Sequence, residues 1–255
     1  MTVTDVNVVK SAIFERPDDA NKGTLGSLLC VCGSYGMAGA AVMSAKGALR
    51  TGIGLAKCAL PRSIYPVVAQ TILESVYYPL SENADGRISK VNVPFLVSES
   101  CKSSATLVGC GLGVCDDTLK IVFSLIENST TPLVLDADAL NCVAKQPEIL
   151  LRKKVPIIIT PHPGEMSRLT GLATPLVNAE RERVALDFAQ KYGVVTVLKG
   201  AGTVIASPNG KVLVNPTGNS GMATGGSGDV LAGMTASILA QGASAFSSAA
   251  AAVYL

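Results

Sequence analysis

The sequence of residues 25–50 is LGSLLCVCGSYGMAGAAVMSAKGALR, and its pattern guides the interpretation of the rest of the chain. It begins with a short apolar run, typical of a buried strand, and passes at Gly33 into a loop of small residues. The alanine-rich residues 38–50 then favour a helix, which Gly52 is suited to end. The stretch therefore predicts a β-strand, a glycine loop and an α-helix in direct succession.

Apolar segments with the length of buried strands recur along the chain. They cover residues 105–109, 132–136, 155–160, 194–198 and 202–206. Helices are predicted between several of them, including residues 118–128 and 178–191. Because uninterrupted apolar strands imply a sheet covered on both faces, we predict an α/β fold with a doubly wound, mostly parallel central sheet between helices. Residues 204–214 instead predict an antiparallel hairpin, since PNG at 208–210 separates two apolar stretches.

The composition bounds the domain count and the partners. The 255 residues contain no internal repeat or credible linker, so we expect a single domain over residues 1–255. Hydrophobic residues make up 48% and charged residues only 16%, which favours a homo-oligomer, with a tetramer as one candidate state. The net charge of +2 offers no surplus to attract a phosphate backbone, so no nucleic-acid partner is expected.

The cysteines and the chain ends bear on location. Seven cysteines lie scattered without the C-x-x-C spacing of zinc or redox motifs, so we expect reduced thiols in a cytoplasmic protein. Residues 1–5 lack the start of a secretory signal. Residues 230–255 carry no charge, but their frequent Gly, Ser and Thr favour two packed small-residue helices, divided near 241–242, over a membrane span. No membrane partner is therefore expected.

Polar and glycine-rich loops follow four of the predicted strands. These loops are residues 33–39, 109–113, 136–138 and 161–165. Because ligands bind beyond the carboxyl ends of the strands in open α/β sheets, we expect the loops to converge on one cleft. Asp136 and Asp138 lie at one strand end, with Asn141 one turn later, and we expect at least one of the two carboxylates to face the cleft. The alternatives are a packing role for Asp136 and a helix N-cap for Asp138.

Residues 215–229, NPTGNSGMATGGSGD, are rich in glycine and precede an apolar helix. Glycines let backbone amides approach a ligand closely, and a helix start adds partial positive charge, so the segment predicts an anion cradle. Asp229, in the first helical turn, could take a proton from an alcohol while the amides of residues 226–228 hold phosphoryl charge. The alternative is that Asp229 merely caps the helix, although a cap needs far fewer glycines.

Two weaker signals lie upstream. KGAGT at 199–203 follows a buried strand and suits a nucleotide phosphate or ribose, although an ordinary glycine turn fits it as well. It is not a Walker loop, because G-x-x-x-x-G-K-[ST] is absent from the sequence. His162, the only histidine, stands between two prolines, where a structural role is the more frequent one, and Glu165 could hold magnesium through water. A hydrolase triad is excluded, since GGSGD lacks the final glycine of G-x-S-x-G.

Five segments, in this order, resemble the ADP- or ATP-dependent NAD(P)H-hydrate dehydratases, which have a three-layer ribokinase-like fold. They are GSYGMAGAA (33–41), VLDADALN (134–141), TPHPGEMSRLTG (160–171), KGAGT (199–203) and residues 215–233. The similarity spans nearly the whole chain. It implies cofactor repair: hydrated NADH or NADPH (NADHX or NADPHX) is returned to NADH or NADPH while ADP or ATP gives AMP or ADP and phosphate. Resemblance to bacterial single-domain members favours ADP.

The resemblance also implies roles for individual residues. Asp229 would be the base on the ring hydroxyl. The hydrated dinucleotide would contact Ala40, Gly111, Gly113 and His162, and Asp136 and Asn141 are further candidates for the same cleft. The adenine nucleotide would contact Lys199, Gly200, Ala201, Gly202, Thr203, Gly226, Ser227 and Gly228. The wider ribokinase-like group carries N-x-x-E where this chain has HPGE, which aligns Glu165 with a magnesium-organising position and fits dehydratases better than sugar kinases.

Two differences from the family and two other functions follow from the same comparison. Fused relatives carry an epimerase domain for which we expect no room here, and relatives continue beyond the alanine-rich helix, so the C-terminal end is expected to be shortened. A ribokinase-like small-molecule kinase would share the cradle and the base but release a stable phosphorylated alcohol. A nucleotide-sensing binding module would need Asp229 only as a helix cap.

Overall fold

The computed structural model describes residues 3–13 and 15–255. Met1 and Thr2, where no secretory signal is expected, and Phe14 lie outside the described residues. Within them the strands are β1 (Ser27–Val31), β2 (Leu55–Pro61), β3 (Val76–Leu80), β4 (Ala105–Val108), β5 (Leu133–Leu135), β6 (Ile157–Ile159), β7 (Val195–Leu198), β8 (Val204–Ala206) and β9 (Val212–Val214).

The helices of the same described ranges lie mostly between consecutive strands. They are α1 (Val6–Ala12), α2 (Ala38–Arg50), α3 (Tyr65–Thr71), α4 (Val93–Cys101), α5 (Asp116–Asn128), α6 (Asp138–Val143), α7 (Pro163–Thr170), α8 (Thr174–Ala179), α9 (Arg181–Tyr192), α10 (Ser227–Ala240) and α11 (Ala245–Tyr254). Short 3-10 turns occur at Arg62–Ile64, Lys90–Asn92, Pro147–Arg152 and Ser220–Met222.

All strands belong to one sheet in the order β3-β2-β1-β4-β5-β6-β7-β8-β9. The pairs from β3 to β7 are parallel, whereas β8 runs antiparallel to both of its neighbours. The chain leaves β1 towards β2 and β3 and later returns to β4 on the other side of β1, so the winding direction changes between β1 and β4. Such a switch point opens a crevice at the carboxyl ends of the two strands.

Alternate strand residues pack against opposite helical layers. Leu29 and Val31 of β1 belong to the apolar core that includes residues of α5 and α9, whereas Leu28 and Cys30 belong to the core that includes residues of α2 and α10. This alternation is the two-residue period of a strand, with both faces buried. The predicted three-layer, doubly wound architecture is confirmed.

Several element predictions are confirmed, and others need correction. The hairpin of residues 204–214 is present as β8 and β9, and the C-terminal region forms α10 and α11 on either side of residues 241–244. No helix among the described residues is both long and apolar enough to cross a membrane. The helix predicted for residues 178–191 is present as α9, but it begins later than predicted, because Glu180 leaves helical geometry and residues 178–179 belong to α8. We did not predict β2 and β3, since Lys57 and Pro79 interrupt their apolar pattern.

The helices α2 and α10 cross with their backbones in contact, and glycine makes this approach feasible. A Cβ on Gly47 would lie 2.7 Å from the carbonyl oxygen of Val230, and one on Gly233 would overlap the carbonyl oxygen of Ser44. Protein interiors are close-packed, so even one added methyl group must displace one of these helices. The crossing therefore fixes the start of α10 relative to the loop that follows β1.

Candidate active site

The loops after β1 and β4 are joined at the switch point. Gly33 donates its amide to the carbonyl of Cys110 at 2.8 Å, and Ser34 Oγ donates to the carbonyl of Gly111 at 2.8 Å. A Cβ on Gly111 would lie 2.7 Å from the Cβ of Ala40, so only glycine lets the loop approach the first turn of α2. We call the region at the carboxyl ends of β1 and β4, where residues 32–37 and 109–113 meet, the switch-point cleft. It brings the predicted substrate residues Ala40 and Gly111 together.

Asp136 directly follows β5 and is an almost fully buried carboxylate, 1% exposed. Its Oδ1 accepts hydrogen bonds from Thr160 Oγ1 and Lys199 Nζ, both at 2.7 Å. The next residue, Ala137, has φ +49° and is the only non-glycine residue with positive φ in the described chain. Such backbone costs about 1–3 kcal/mol and persists only where surrounding contacts hold it. Because of this strained turn, the side chains of Asp136 and Asp138 point to different partners.

Asp138 lies on the cleft side of that turn and holds two neighbours in place. Its Oδ2 accepts the amide of Gly113 at 2.8 Å, and its Oδ1 accepts Asn141 Nδ2 at 3.3 Å. Asn141 Oδ1 in turn accepts Arg168 Nε at 2.9 Å. The predicted residues Gly113 and Asn141 are therefore linked through a carboxylate rather than by direct contact. Asp138 lies in the first turn of α6, and no side-chain bond caps that helix in the described structure.

Lys199 connects the end of β7 with the two neighbouring acids. Its Nζ lies 2.7 Å from Asp136 Oδ1 and 3.9 Å from Glu165 Oε2. Burial by itself would lower the pKa of Lys199, but the negative charges of Asp136 and Glu165 outweigh that effect and leave the pKa raised. A Cβ on Gly228 would lie 3.3 Å from this Nζ, so the lysine also reaches the start of α10.

His162 and Glu165 form a reciprocal cap at the start of α7. His162 Nδ1 accepts the amide of Gly164 at 3.0 Å, and Glu165 Oε2 accepts the amide of His162 at 2.8 Å. Burial raises the pKa of Glu165, and the nearby charge of Lys199 only partly offsets this. We did not predict the cap from the sequence, because a histidine is an unusual residue in that role. The imidazole remains half-exposed and faces Glu165 Oε1 with Nε2 at 3.5 Å.

The start of α10 presents free backbone donors beside Asp229. We call residues 225–229 the α10 cradle. Among the described residues, the amides of Gly225, Gly226, Gly228 and Asp229 donate to no protein acceptor. Gly226, the N-cap residue, has φ +95°, and its missing Cβ would overlap the Sδ of Met43. Unpaired amides at a helix N-terminus make an anion site, so the cradle has the donors that a phosphoryl group needs.

Asp229 makes no capping contact: in the part of the chain that the structure describes, no backbone amide donates to its carboxylate. Ligand atoms of Asp229, Asp136 and Cys110 lie within 4.8 Å of one another. Burial raises the pKa of Asp229 above its ordinary value, and the negative charge of Asp136 raises it further. A half-buried carboxylate of this kind, placed beside unpaired amides in a cleft, has the properties of a general base.

Residues 199–203 form a tight loop on the far side of Lys199. Thr203 Oγ1 donates to the carbonyl of Gly200 at 2.9 Å, and the amides of Ala201 and Gly202 have no protein acceptor among the described residues. Arg181, which we did not predict, packs against Gly200 and donates through Nη2 to the carbonyl of Leu198 at 2.8 Å. It is distant in sequence, so no local pattern could have identified it. The predicted nucleotide residues of this loop and of the α10 cradle thus meet at Lys199.

Comparison with known proteins places the chain in a family. A family model described as NAD(P)H-hydrate dehydratase matches residues 28–255, which include every segment of the site. The chain belongs to the NAD(P)H-hydrate dehydratase family. The expected ribokinase-like fold is also borne out, since a ribokinase-like superfamily protein from Enterococcus faecalis superimposes with a TM-score of 0.86 at 24% identity, covering 99% of this chain and 84% of its own.

Closer relatives within the family agree. The ADP-dependent (S)-NAD(P)H-hydrate dehydratase of Neisseria meningitidis is 35% identical, over 94% of this chain and 78% of its own length. The crystal structure of the ADP/ATP-dependent NAD(P)H-hydrate dehydratase of Bacillus subtilis, co-crystallised with ATP and Mg²⁺, matches at a TM-score of 0.82 and 31% identity, covering 98% of this chain and 84% of its own. The bifunctional NAD(P)H-hydrate repair enzyme of Moorella thermoacetica is 38% identical over 91% of this chain. The chain spans 44% of that enzyme's length.

Proposed function

We propose that this dehydratase-family chain returns hydrated NADH or NADPH to NADH or NADPH, using ADP or ATP and releasing AMP or ADP with phosphate. The observation that carries the proposal is the pairing of Asp229 with the unpaired amides of the α10 cradle. A base and a phosphoryl site next to each other are what nucleotide-dependent activation of an alcohol requires. The ADP dependence of the Neisseria meningitidis relative supports ADP as the preferred nucleotide.

The reaction proceeds in two balanced steps. Asp229 takes the proton of the hydroxyl on the hydrated ring while that oxygen attacks the terminal phosphorus, and the bond from phosphorus to the departing nucleotide breaks. The amides of Gly226 and Gly228 hold the charge that develops on the phosphoryl oxygens. The carbon–oxygen bond of the phosphorylated ring then breaks with phosphate as the leaving group, and loss of a proton from the adjacent carbon restores the double bond. Phosphorylation is needed because hydroxide leaves carbon far less readily than phosphate.

In this proposal the two substrates bind to different elements of the fold. The hydrated ring lies in the switch-point cleft, next to Ala40, Gly111 and His162. The nucleotide lies along residues 199–203, with its terminal phosphate at the α10 cradle. Lys199 stands between the two regions, because its Nζ reaches both Asp136 and Gly228. A positive charge there counterbalances the phosphate that passes from one substrate to the other.

Magnesium would accompany the nucleotide phosphates. Carboxylate oxygens are ligands that Mg²⁺ prefers, and Glu165, with Oε2 3.9 Å from Lys199 Nζ, is the candidate. Glu165 is 5% exposed and already accepts the amide of His162, so contact through a water molecule suits it better than direct ligation. When bound, the ion would neutralise charge on the phosphate oxygens. We also propose that the protein is a cytoplasmic homo-oligomer. The cytoplasmic location is supported by its seven cysteines, which are all free thiols.

The proposed function is tested with the purified chain, chemically hydrated NADH and either ADP or ATP. We expect NADH absorbance to return only when nucleotide is present, with one AMP or ADP and one phosphate formed for each NADH. A stable phosphorylated alcohol among the products would identify a kinase instead. Absence of any nucleotide-dependent return with both nucleotides would contradict the proposal.

The raised pKa of Asp229 predicts a displaced acid limb in the pH profile. A general base works deprotonated, so kcat/KM should fall as the pH drops through a value above 3.8, the ordinary pKa for aspartate. Acid unfolding does not follow from this group, because a carboxylate with a raised folded-state pKa binds protons more tightly when folded and adds stability as the pH falls. Measurements of kcat/KM and, by circular dichroism, of the folded fraction at the same pH values check both expectations. An acid limb at or below the ordinary aspartate value would contradict it.

A further inference from the structure

Residues 81–89 form a hairpin that is fastened beside the switch-point cleft. Glu82 and Ile88 pair as an antiparallel bridge, and Asn83 Oδ1 accepts the amide of Arg87 at 3.1 Å. Asn83 Nδ2 donates to Asp117 Oδ2 in the first turn of α5 at 2.9 Å. These contacts tie the hairpin to the helix that follows the loop of residues 109–113. The position of Arg87 is therefore fixed by the backbone rather than left to an unconstrained loop.

A second contact fastens the hairpin to the other wall of the cleft. Tyr35, in the loop after β1, donates its amide to the carbonyl of Gly86 at 2.9 Å. Gly86 packs on the Cβ of Tyr35, while the rest of that tyrosine leaves the residue 74% exposed. The hairpin thus bridges both loops of the switch-point cleft at its rim.

The side chain of Arg87 lies over Gly113. A Cβ on Gly113 would lie 2.8 Å from Arg87 Cδ and would overlap Nε, so the glycine leaves the space that the arginine fills. Gly113 is itself held by Asp138, which accepts its amide at 2.8 Å. Asp138 also contributes to the field that raises the pKa of Asp229. Cys110, whose Sγ lies within 4.8 Å of a carboxylate oxygen of Asp229, belongs to the same loop as Gly113. The loop of residues 109–113 therefore connects the proposed base with the guanidinium at the rim.

The guanidinium of Arg87 forms only a weak ion pair. Among the described residues its one carboxylate partner is Asp85, with Nη1 and Oδ2 3.2 Å apart, and the Asp85 side chain is 68% exposed. Exposed ion pairs of this kind contribute little and exchange readily with solvent. Guanidinium groups bind phosphate oxygens in a two-pronged geometry and keep their charge at all physiological pH values. An anion arriving at the rim would displace Asp85 at small cost.

We propose that Arg87 binds the diphosphate bridge of the hydrated dinucleotide. This inference rests on the proposed function, which places the hydrated ring at Asp229. The ring occupies the depth of the switch-point cleft, and the rest of the dinucleotide leaves it over Gly113, so the diphosphate passes the guanidinium at the rim. NADHX and NADPHX share the diphosphate, so Arg87 contributes equally to both.

The experiment compares steady-state kinetics of Arg87→Gln with wild type for NADHX and NADPHX. We expect KM to rise about tenfold for both dinucleotides, with kcat and the KM for ADP nearly unchanged. Arg152→Gln, which removes another partly exposed arginine paired with a carboxylate, is the matched control and should leave both KM values unaltered. Asp85→Asn removes only the counter-ion and should leave KM unchanged or lower it.

Binding of NADH, measured by its fluorescence, separates this inference from the proposed function. NADH carries the same diphosphate, so Arg87→Gln should weaken its binding about tenfold even if no repair activity is found. An unchanged KM and unchanged NADH binding in Arg87→Gln would overturn the assignment. A KM rise confined to NADPHX would also overturn it, because it would place the guanidinium on the 2′-phosphate. A raised KM in Asp85→Asn would show that the ion pair only shapes the hairpin, which equally rules out the diphosphate contact.

Discussion

Asp229→Asn is expected to lower kcat for NADHX repair about 10³-fold while nucleotide binding persists. Asparagine has nearly the same shape, so the unpaired amides of the α10 cradle keep their positions and still hold the phosphates. What is lost is the group that takes the hydroxyl proton. Single-turnover kinetics together with equilibrium binding of ADP would measure the two effects separately.

The stability of this variant provides a second measurement. Burial and the charge of Asp136 oppose ionisation of Asp229, so removing the carboxylate should leave Tm equal to or above the wild-type value at neutral pH. Asp187→Asn, which alters an exposed carboxylate of α9, is the control and should retain full turnover. Near-normal turnover of Asp229→Asn with intact ADP binding would instead identify Asp229 as a bystander and favour a binding module.

Lys199→Met is expected to have the largest effect on stability. It leaves Asp136, with a side chain 2% exposed, without its cation, and removing one partner of a buried pair costs about 3–5 kcal/mol. Thr160 would still donate to Asp136, but a hydroxyl does not replace a positive charge. Urea unfolding measures the loss of free energy, and the same variant should lose nucleotide-dependent turnover.

The double variant Lys199→Met with Asp136→Asn distinguishes folding from chemistry. Removing both charges abolishes the unpaired carboxylate, so most of the lost stability should return. Activity should not return, because no cation is left beside Gly228. If the single variant is as stable as wild type, the ion pair is not buried in solution. If the double variant regains turnover, Lys199 only neutralises Asp136.

The sequence predicted the parts of the fold and site that depend on neighbouring residues. The strand, loop and helix of residues 25–50 follow from local patterns and are confirmed. The same holds for the β-hairpin of residues 204–214. The site residues stay predictions as to role, although the structure brings Asp229, Asp136 and Lys199 together. We did not predict edge strands such as β3, because an exposed strand lacks a continuous apolar run. We did not predict Arg87 or Arg181, because each packs against a glycine that is distant in the sequence, Gly113 and Gly200 respectively.

The contact of α2 with α10 constrains how the protein can be engineered. Backbone touches backbone at Gly47 and Gly233, so these two positions offer a protein designer neither a void to fill nor a side chain to exchange. Libraries aimed at heat resistance should therefore leave that layer untouched and vary the opposite one, where α5 and α9 meet the sheet through larger apolar residues. Gains made there would not disturb the alignment of the unpaired amides in the α10 cradle.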